Sequence, residues 1–210
     1  MALSAAVLTG GSSRRMGADK AMLDFGGQPL LARTLATLRC VADDVLIVGA
    51  QPAYAGFGAT LVADDWPGLG TLGGLATALR IARYEETLVV ACDMPLLSVA
   101  LLRALAVEPR DYDVLLPVLD NHHCADGNGQ PQPLHAIYAR RCLPAFVAQL
   151  EAGRLTVIEA LEGVDVRRVS DNWLQRFDPQ LRSFLNVNTY EQLADARRLL
   201  GMKASVEDGG

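Results

Sequence analysis

No stretch of the 210 residues is an uninterrupted apolar run of the roughly 18 to 20 that a membrane-spanning helix needs, although half of the residues are apolar. Helical membrane proteins are thereby excluded. Net positive charge is also lacking. A formal charge of −5 argues against a protein that coats nucleic acid, which would show a basic face, so any phosphate binding must be local. Cysteine is sparse: Cys40, Cys92, Cys124 and Cys142 form no CxxC pair and read as reduced, mostly buried small hydrophobes. The apolar opening Met1–Thr9 has no basic flank or cleavage site, and it meets Gly10-Gly11 too early for a secretory signal. A cytoplasmic protein is expected. There is no internal repeat and no low-complexity tract. The apolar content suffices for one sizeable core, so one domain is expected over residues 1–202, followed by a frayed polar tail at 203–210.

What is present is a rhythm of short apolar runs. Ala5–Leu8, Val45–Val48, Leu88–Ala91 and Val114–Leu116 lack polar alternation, as strands buried on both faces do. Helical stripes lie between them. Leu30, Leu31, Leu35 and Leu38 form one, with Pro29 in its first turn. Leu72, Leu75, Ala76 and Leu79 form a second, and Leu101, Leu102 and Leu105 a third, with Ser98 as N-cap. Residues 120–132 are rich in Asn, His, Asp, Gly and Pro and read as an exposed loop or long hairpin. Helices are predicted again over Leu143–Leu150 and Val157–Leu161, then a strand over Val164–Val169 and a closing helix near Tyr190–Leu200. Alternating strands and helices predict right-handed βαβ units, hence a three-layer α/β/α sandwich on a mostly parallel sheet. In such sheets ligands sit beyond the carboxyl ends of the strands, which directs attention to the residues after Leu8, Val62, Ala91 and Leu116.

The segment after the first strand reads Leu8-Thr9-Gly10-Gly11-Ser12-Ser13-Arg14-Arg15-Met16-Gly17-Ala18-Asp19-Lys20. Adjacent glycines let the backbone turn tightly and approach a ligand, and successive free N–H groups there can form an anion nest. Ser12 and Ser13 add hydroxyl donors, while Arg15 and Lys20 add charge where a triphosphate would lie. A glycine turn with solvated cations is the plainer alternative. The pattern is neither a Walker A loop nor GxGxxG, so kinase and dehydrogenase readings lose their main support. After the third apolar run comes Cys92-Asp93-Met94-Pro95. An aspartate there is either a helix N-cap or a hard ligand for magnesium, which takes one or two carboxylates plus phosphate oxygens.

These residues carry a resemblance. Leu8-Thr9-Gly10-Gly11, Ser13-Arg14-Arg15-Met16-Gly17 and Asp19-Lys20 resemble the LAGGxSxRMGxDK signature of the molybdenum cofactor guanylyltransferase family, with Thr9 where Ala is usual. Asp64-Asp65-Trp66-Pro67-Gly68-Leu69-Gly70-Thr71-Leu72-Gly73-Gly74 resembles its second glycine loop, with Thr71 in place of proline. Cys92-Asp93-Met94-Pro95-Leu96-Leu97, Gln132-Pro133-Leu134-His135-Ala136-Ile137-Tyr138 and Phe184-Leu185-Asn186-Val187-Asn188-Thr189 follow in the family's order. His135 replaces an aromatic and Tyr190 a proline.

The resemblance implies a Rossmann-like nucleotidyltransferase fold that moves GMP from GTP to the terminal phosphate of molybdopterin. Leu8, Thr9, Gly10, Gly11, Ser12, Lys20, Asp64 and Gly73 would then bind the nucleotide. Arg15, Lys20 and Asp93 would be catalytic, with Asp93 holding Mg2+ or alternatively Mn2+, and Asn186 and Asn188 would face molybdopterin. The family's Gly-Gly accompanies GTP, whereas Ala-Gly accompanies CTP in related enzymes. A cytidylyltransferase for the same cofactor, another small-molecule phosphate nucleotidyltransferase and a non-catalytic nucleotide-binding module are the rivals.

Asn186 and Asn188 alternate with Leu185 and Val187, so both amides are predicted on one side of a strand. Thr189 and Gln192 are predicted to form a capping box. His135 reads as a satisfied, partly buried histidine and Arg154 as a surface arginine. His122, His123, Cys124 and His135 match no zinc spacing. With no heptad seam, a monomer is expected. Its partners would be the two substrates and transient cofactor-synthesis or molybdoenzyme proteins, with no nucleic acid and no membrane.

Overall fold

The protein is described by a computed structural model over residues 2–10, 19–120 and 129–202. Strands β1 (Ser4–Leu8), β2 (Asp44–Val48), β3 (Thr60–Val62) and β4 (Glu86–Ala91) form the parallel half of one sheet, in the order β3-β2-β1-β4. Strands β5 (Val114–Leu119), β6 (Gln130–Pro131) and β7 (His135–Ala139) extend it in the order β4-β7-β5-β6, and β8 (Val166–Val169) pairs parallel to β5. The continuous apolar runs have the predicted consequence. Along β1, Ala5 and Val7 enter one core while Ala6 and Leu8 enter the other. Helices α1 (Leu30–Leu38) and α3 (Val99–Val107) cover the first face with Leu31, Leu35, Leu101 and Leu105. Helices α2 (Gly70–Ile81), α4 (Leu143–Glu151) and the single turn α5 (Val157–Ala160) cover the second. The short turn α6 (Asp171–Leu174) is followed by the ten-residue helix α7 (Tyr190–Leu199), which packs Leu193 and Ala196 with Phe25, Leu30 and Val187 in a third, smaller cluster.

β7 is antiparallel to both β4 and β5, as the long hairpin expected between the two apolar segments allows. Three local expectations are corrected. Pro29 stands just before α1 with extended ψ, as N-cap, not in the first turn. Strand β8 begins at Val166, not Val164. Residues 185–188 form no strand, since the 3-10 turn Arg182–Phe184 and α7 leave only a short span between them. Ser98 does cap α3, its hydroxyl accepting from the Leu101 N–H at 3.3 Å. Thr189 likewise caps α7 by accepting from the Gln192 N–H. Gln192 reaches back to the Asn188 N–H, one residue earlier than a capping box requires.

Candidate active site

The carboxyl ends of β1 and β4 lie side by side, tied by the Cys92 N–H donating to Leu8 O at 3.2 Å. From β1 the chain goes to β2 on one side, while β4 occupies the other. Such a reversal of strand order opens a crevice. The cleft there measures ≈ 390 Å³ and is lined by Leu8–Gly10, Ala91–Met94, Gln132–Leu134, Lys20, Thr71, Asn186 and Asn188. A smaller recess of ≈ 30 Å³ lies between the ends of β1 and β2 and the start of α2, with Asp64 in its wall. Asp120, the described residue directly after β5, lines neither space.

Lys20 comes from a 3-10 turn, Lys20–Met22, whose N-cap is Asp19: its Oδ1 accepts the Ala21 N–H at 3.1 Å. The other oxygen, Oδ2, accepts the hydroxyl of buried Tyr54 at 2.7 Å. Burial and the neighbouring Asp19 both push that hydroxyl's pKa up, so Tyr54 stays a donor. The sequence reading missed this brace, because Tyr54 sits after β2 with no local pattern to mark it. The Lys20 Nζ lies 2.7 Å from Asn188 Oδ1 and 3.3 Å from Asp93 Oδ2. Among the described residues, Lys20 is the cation of the cleft and the partner of the Asp93 carboxylate.

Thr9 uses its side chain structurally. Its Oγ1 lies 2.9 Å from Val48 O and 3.0 Å from Gly49 O, which turns the hydroxyl toward the neighbouring strand end. Gly49 has φ +104°, and a Cβ there would stand 2.7 Å from Thr9 Oγ1. That close approach binds the ends of β1 and β2 together next to Gly10.

Asp64 and Asp65 are told apart by geometry. Asp64 Oδ1 accepts the Trp66 N–H and lies 3.0 Å from Thr77 Oγ1, fixing the carboxylate at the recess. Asp65 is turned to the surface and pairs with Arg80. Gly73 is buried and lines neither space; a Cβ on it would come within 2.9 Å of Trp66 O, so it lets α2 pack against the Asp64 turn.

Asn186 and Asn188 both line the cleft while Val187 is buried, so the amides share a side without a strand. Leu185, expected beside Val187, is exposed instead. Cys92, adjacent to Asp93, is a poor nucleophile, its thiol pKa pushed up to about 12 by burial and then by Asp93. His135 is corrected. It is fully buried on β7, its ring centroid 4.5 Å from that of Phe184, and neither ring nitrogen has a partner among the described residues. Burial lowers its pKa to about 4, so it is neutral and has no part in the cleft. Arg154 is exposed beyond α4 and bonds Gln149. Gly11, Ser12, Ser13, Arg14, Arg15, His122, His123 and Cys124 lie outside the described residues.

Gly10 at one strand end and a lysine shared with an aspartate at the next, on a doubly covered α/β sheet, define a nucleotidyltransferase-type enzyme. The chain belongs to the MobA-like NTP transferase domain family, whose model matches residues 5–167. It is 38% identical over 96% of its length to the probable molybdenum cofactor guanylyltransferase of Chloroflexus aggregans, of which 96% is covered. It is 33% identical to the molybdenum cofactor guanylyltransferase of Desulfosudis oleivorans, covering 93% of this chain and 94% of that one. The crystal structure of molybdopterin-guanine dinucleotide biosynthesis protein A from Archaeoglobus fulgidus superposes with TM-score 0.79 at 27% identity, covering 94% of this chain and 98% of that one.

Proposed function

We propose that this enzyme transfers GMP from GTP to the terminal phosphate of molybdopterin. An oxygen of the acceptor phosphate attacks the α-phosphorus, the bond to the β-phosphate oxygen breaks, and pyrophosphate leaves. The observation that carries the reading is the contact of Lys20 with both Asp93 and Asn188, which brings a cation, a hard carboxylate and an acceptor-side amide into one cleft. The acceptor oxygen is already ionised, so no general base is required. The work left to the protein is positioning and charge stabilisation.

Each residue then has a task. The backbone of Leu8, Thr9, Gly10, Gly11 and Ser12 receives the guanine end of the nucleotide, next to the recess walled by Asp64. Gly73 serves by letting α2 pack against the turn that bears Asp64. Lys20 and Arg15 neutralise and hold the β- and γ-phosphates, and Asn186 and Asn188 meet the acceptor. Asp93 suits a divalent cation: among the described residues no group of three His, Cys, Asp or Glu builds a protein cage, and Mg2+ or Mn2+ in such enzymes is held largely by phosphate oxygens. When bound, the metal offsets charge on the transferring phosphate.

Calorimetric titration with GTP, CTP and ATP in the presence of Mg2+ tests the reading. Selective GTP binding, followed by pyrophosphate release that requires molybdopterin, is the expected result. A preference for CTP would reassign the nucleotide, and absence of binding by all three would refute the reading.

A further inference from the structure

The Lys20 ammonium is shared unequally. It approaches Asn188 Oδ1 to 2.7 Å but stops 3.3 Å from Asp93 Oδ2. An unhindered ammonium–carboxylate pair closes to about 2.8 Å. The amide carbonyl therefore holds the cation partly away from the carboxylate. Because an ammonium only donates, the atom of Asn188 that faces it must be the oxygen, and the NH2 group is directed elsewhere.

The holder is stiff and the held group is not. Val187, next to Asn188, donates its N–H to Asp93 O at 2.8 Å, so the asparagine limb is stapled to the residue that bears the carboxylate. The Asn188 N–H donates to Gln192 Oε1 at 2.7 Å, which fastens the same limb to α7. Val187 itself is buried with Phe25 and Leu193. Asn188 and Asp93 are thus fixed relative to each other, while Lys20 reaches between them on a flexible four-carbon stem.

We propose that Asn188 is a positioning residue for Lys20: its carbonyl keeps the ammonium from closing onto Asp93 and leaves that carboxylate open to a divalent cation arriving with the nucleotide. The inference rests on the guanylyltransferase reading and deepens it, since a residue on the acceptor limb then governs metal binding on the nucleotide side. By Coulomb's relation at an effective dielectric near 20, closing from 3.3 Å to about 2.8 Å makes Lys20 roughly three- to fivefold stronger as the metal's competitor.

The test is calorimetric titration of GTP into the full chain with excess Mn2+ and again with EDTA. The ratio of the two dissociation constants reports what the metal adds. Asn188→Ala and the near-isosteric Asn188→Leu, which guards against collapse of the limb, are each measured with Lys20 present and in a Lys20→Met background. The expected result is a three- to fivefold fall in the ratio for both variants when Lys20 is present, and no fall in the Lys20→Met background. An unchanged ratio with Lys20 present, or an equal fall in both backgrounds, overturns the proposal while leaving guanylyl transfer standing. Wild-type protein that binds GTP but gains nothing from Mn2+ overturns both the metal assignment of Asp93 and this inference. Wild-type protein that does not bind GTP overturns the guanylyltransferase reading itself.

Discussion

Replacing His135 by Phe should stabilise the protein most where the solution is most acidic. The ring is fully buried against Phe184 on a central strand, and both nitrogens lack a partner among the described residues. Burial lowers its pKa from 6.5 to about 4, with Asp178 pulling weakly in the opposite direction. The unfolded chain therefore takes up a proton below pH 6.5 that the folded chain refuses until about pH 4. Above pH 6.5 there is no cost from this source. Stability falls as the pH drops through that window, and the loss levels off below it. At one pKa unit per 1.36 kcal/mol, the loss is about 2 kcal/mol at pH 5 and about 3 kcal/mol at its limit.

Phenylalanine cannot titrate, so the variant should lose that contribution to the acid slope. At pH 7.5 it should also relieve the unpaired imidazole, a gain of about 1 kcal/mol. Urea unfolding of both proteins at pH 7.5 and pH 5.0 reads the effect as a difference of midpoints at equal slope. The carboxylates that also titrate are common to the two chains and cancel. The refuting result is a stability difference that is the same at both pH values: the buried ring would then find a proton partner or open to water on acidification.

Three further outcomes are expected. Lys20→Ala should lower guanylyl transfer by roughly a factor of 10² to 10³, as loss of a preorganised charge at a transferring phosphate does, with the circular dichroism spectrum unchanged; retained activity would sink the assignment. Gly49→Ala should cost about 1 to 3 kcal/mol in urea unfolding, because the new Cβ would meet Thr9 Oγ1 at 2.7 Å in a backbone conformation alanine resists. Tyr54→Phe removes the donor to Asp19 Oδ2 and should cost about 1 kcal/mol while raising the KM for GTP, since the turn that carries Lys20 loses one of its two braces; an unchanged KM would show that the turn holds without it.

The elements that were legible in the sequence are those in which neighbouring residues decide the outcome. Ala5–Leu8 and Leu88–Ala91 are continuous apolar runs because both faces of a parallel strand are covered, so their strands and the ends that bear ligands could be placed. The leucine stripes of α1, α2 and α3 likewise report a one-sided burial that repeats with the helical turn. The apolar content of His135–Ala139 does not by itself fix the direction of β7, because the strand is buried on both faces whichever way it runs; the hairpin read in the segment before it is what selects antiparallel pairing. His135 was misjudged for a related reason. Its flanking residues mark a strand, but its burial depends on β4 and on Phe184, which lie far away in the chain.

The cleft shows the same division more sharply. Asp93 and Lys20 stand out as residue types after strand ends, yet their relation to each other is set by long-range packing. Lys20 meets Asp93 across 73 positions and Asn188 across 168. The limb that delivers Asn188 was read as a strand from its alternation. What holds it is one backbone bond from Val187 to Asp93, the Asn188 N–H bond to Gln192 and the small cluster under α7, where Val187 packs with Phe25 and Leu193. Phe25 lies just beyond the turn that carries Lys20, so one cluster anchors both the cation and the amide it contacts. The relative placement of the nucleotide and acceptor sides of the cleft is therefore a property of that cluster. A loosened α7 should disturb both sides together, although none of its own residues lines the cleft.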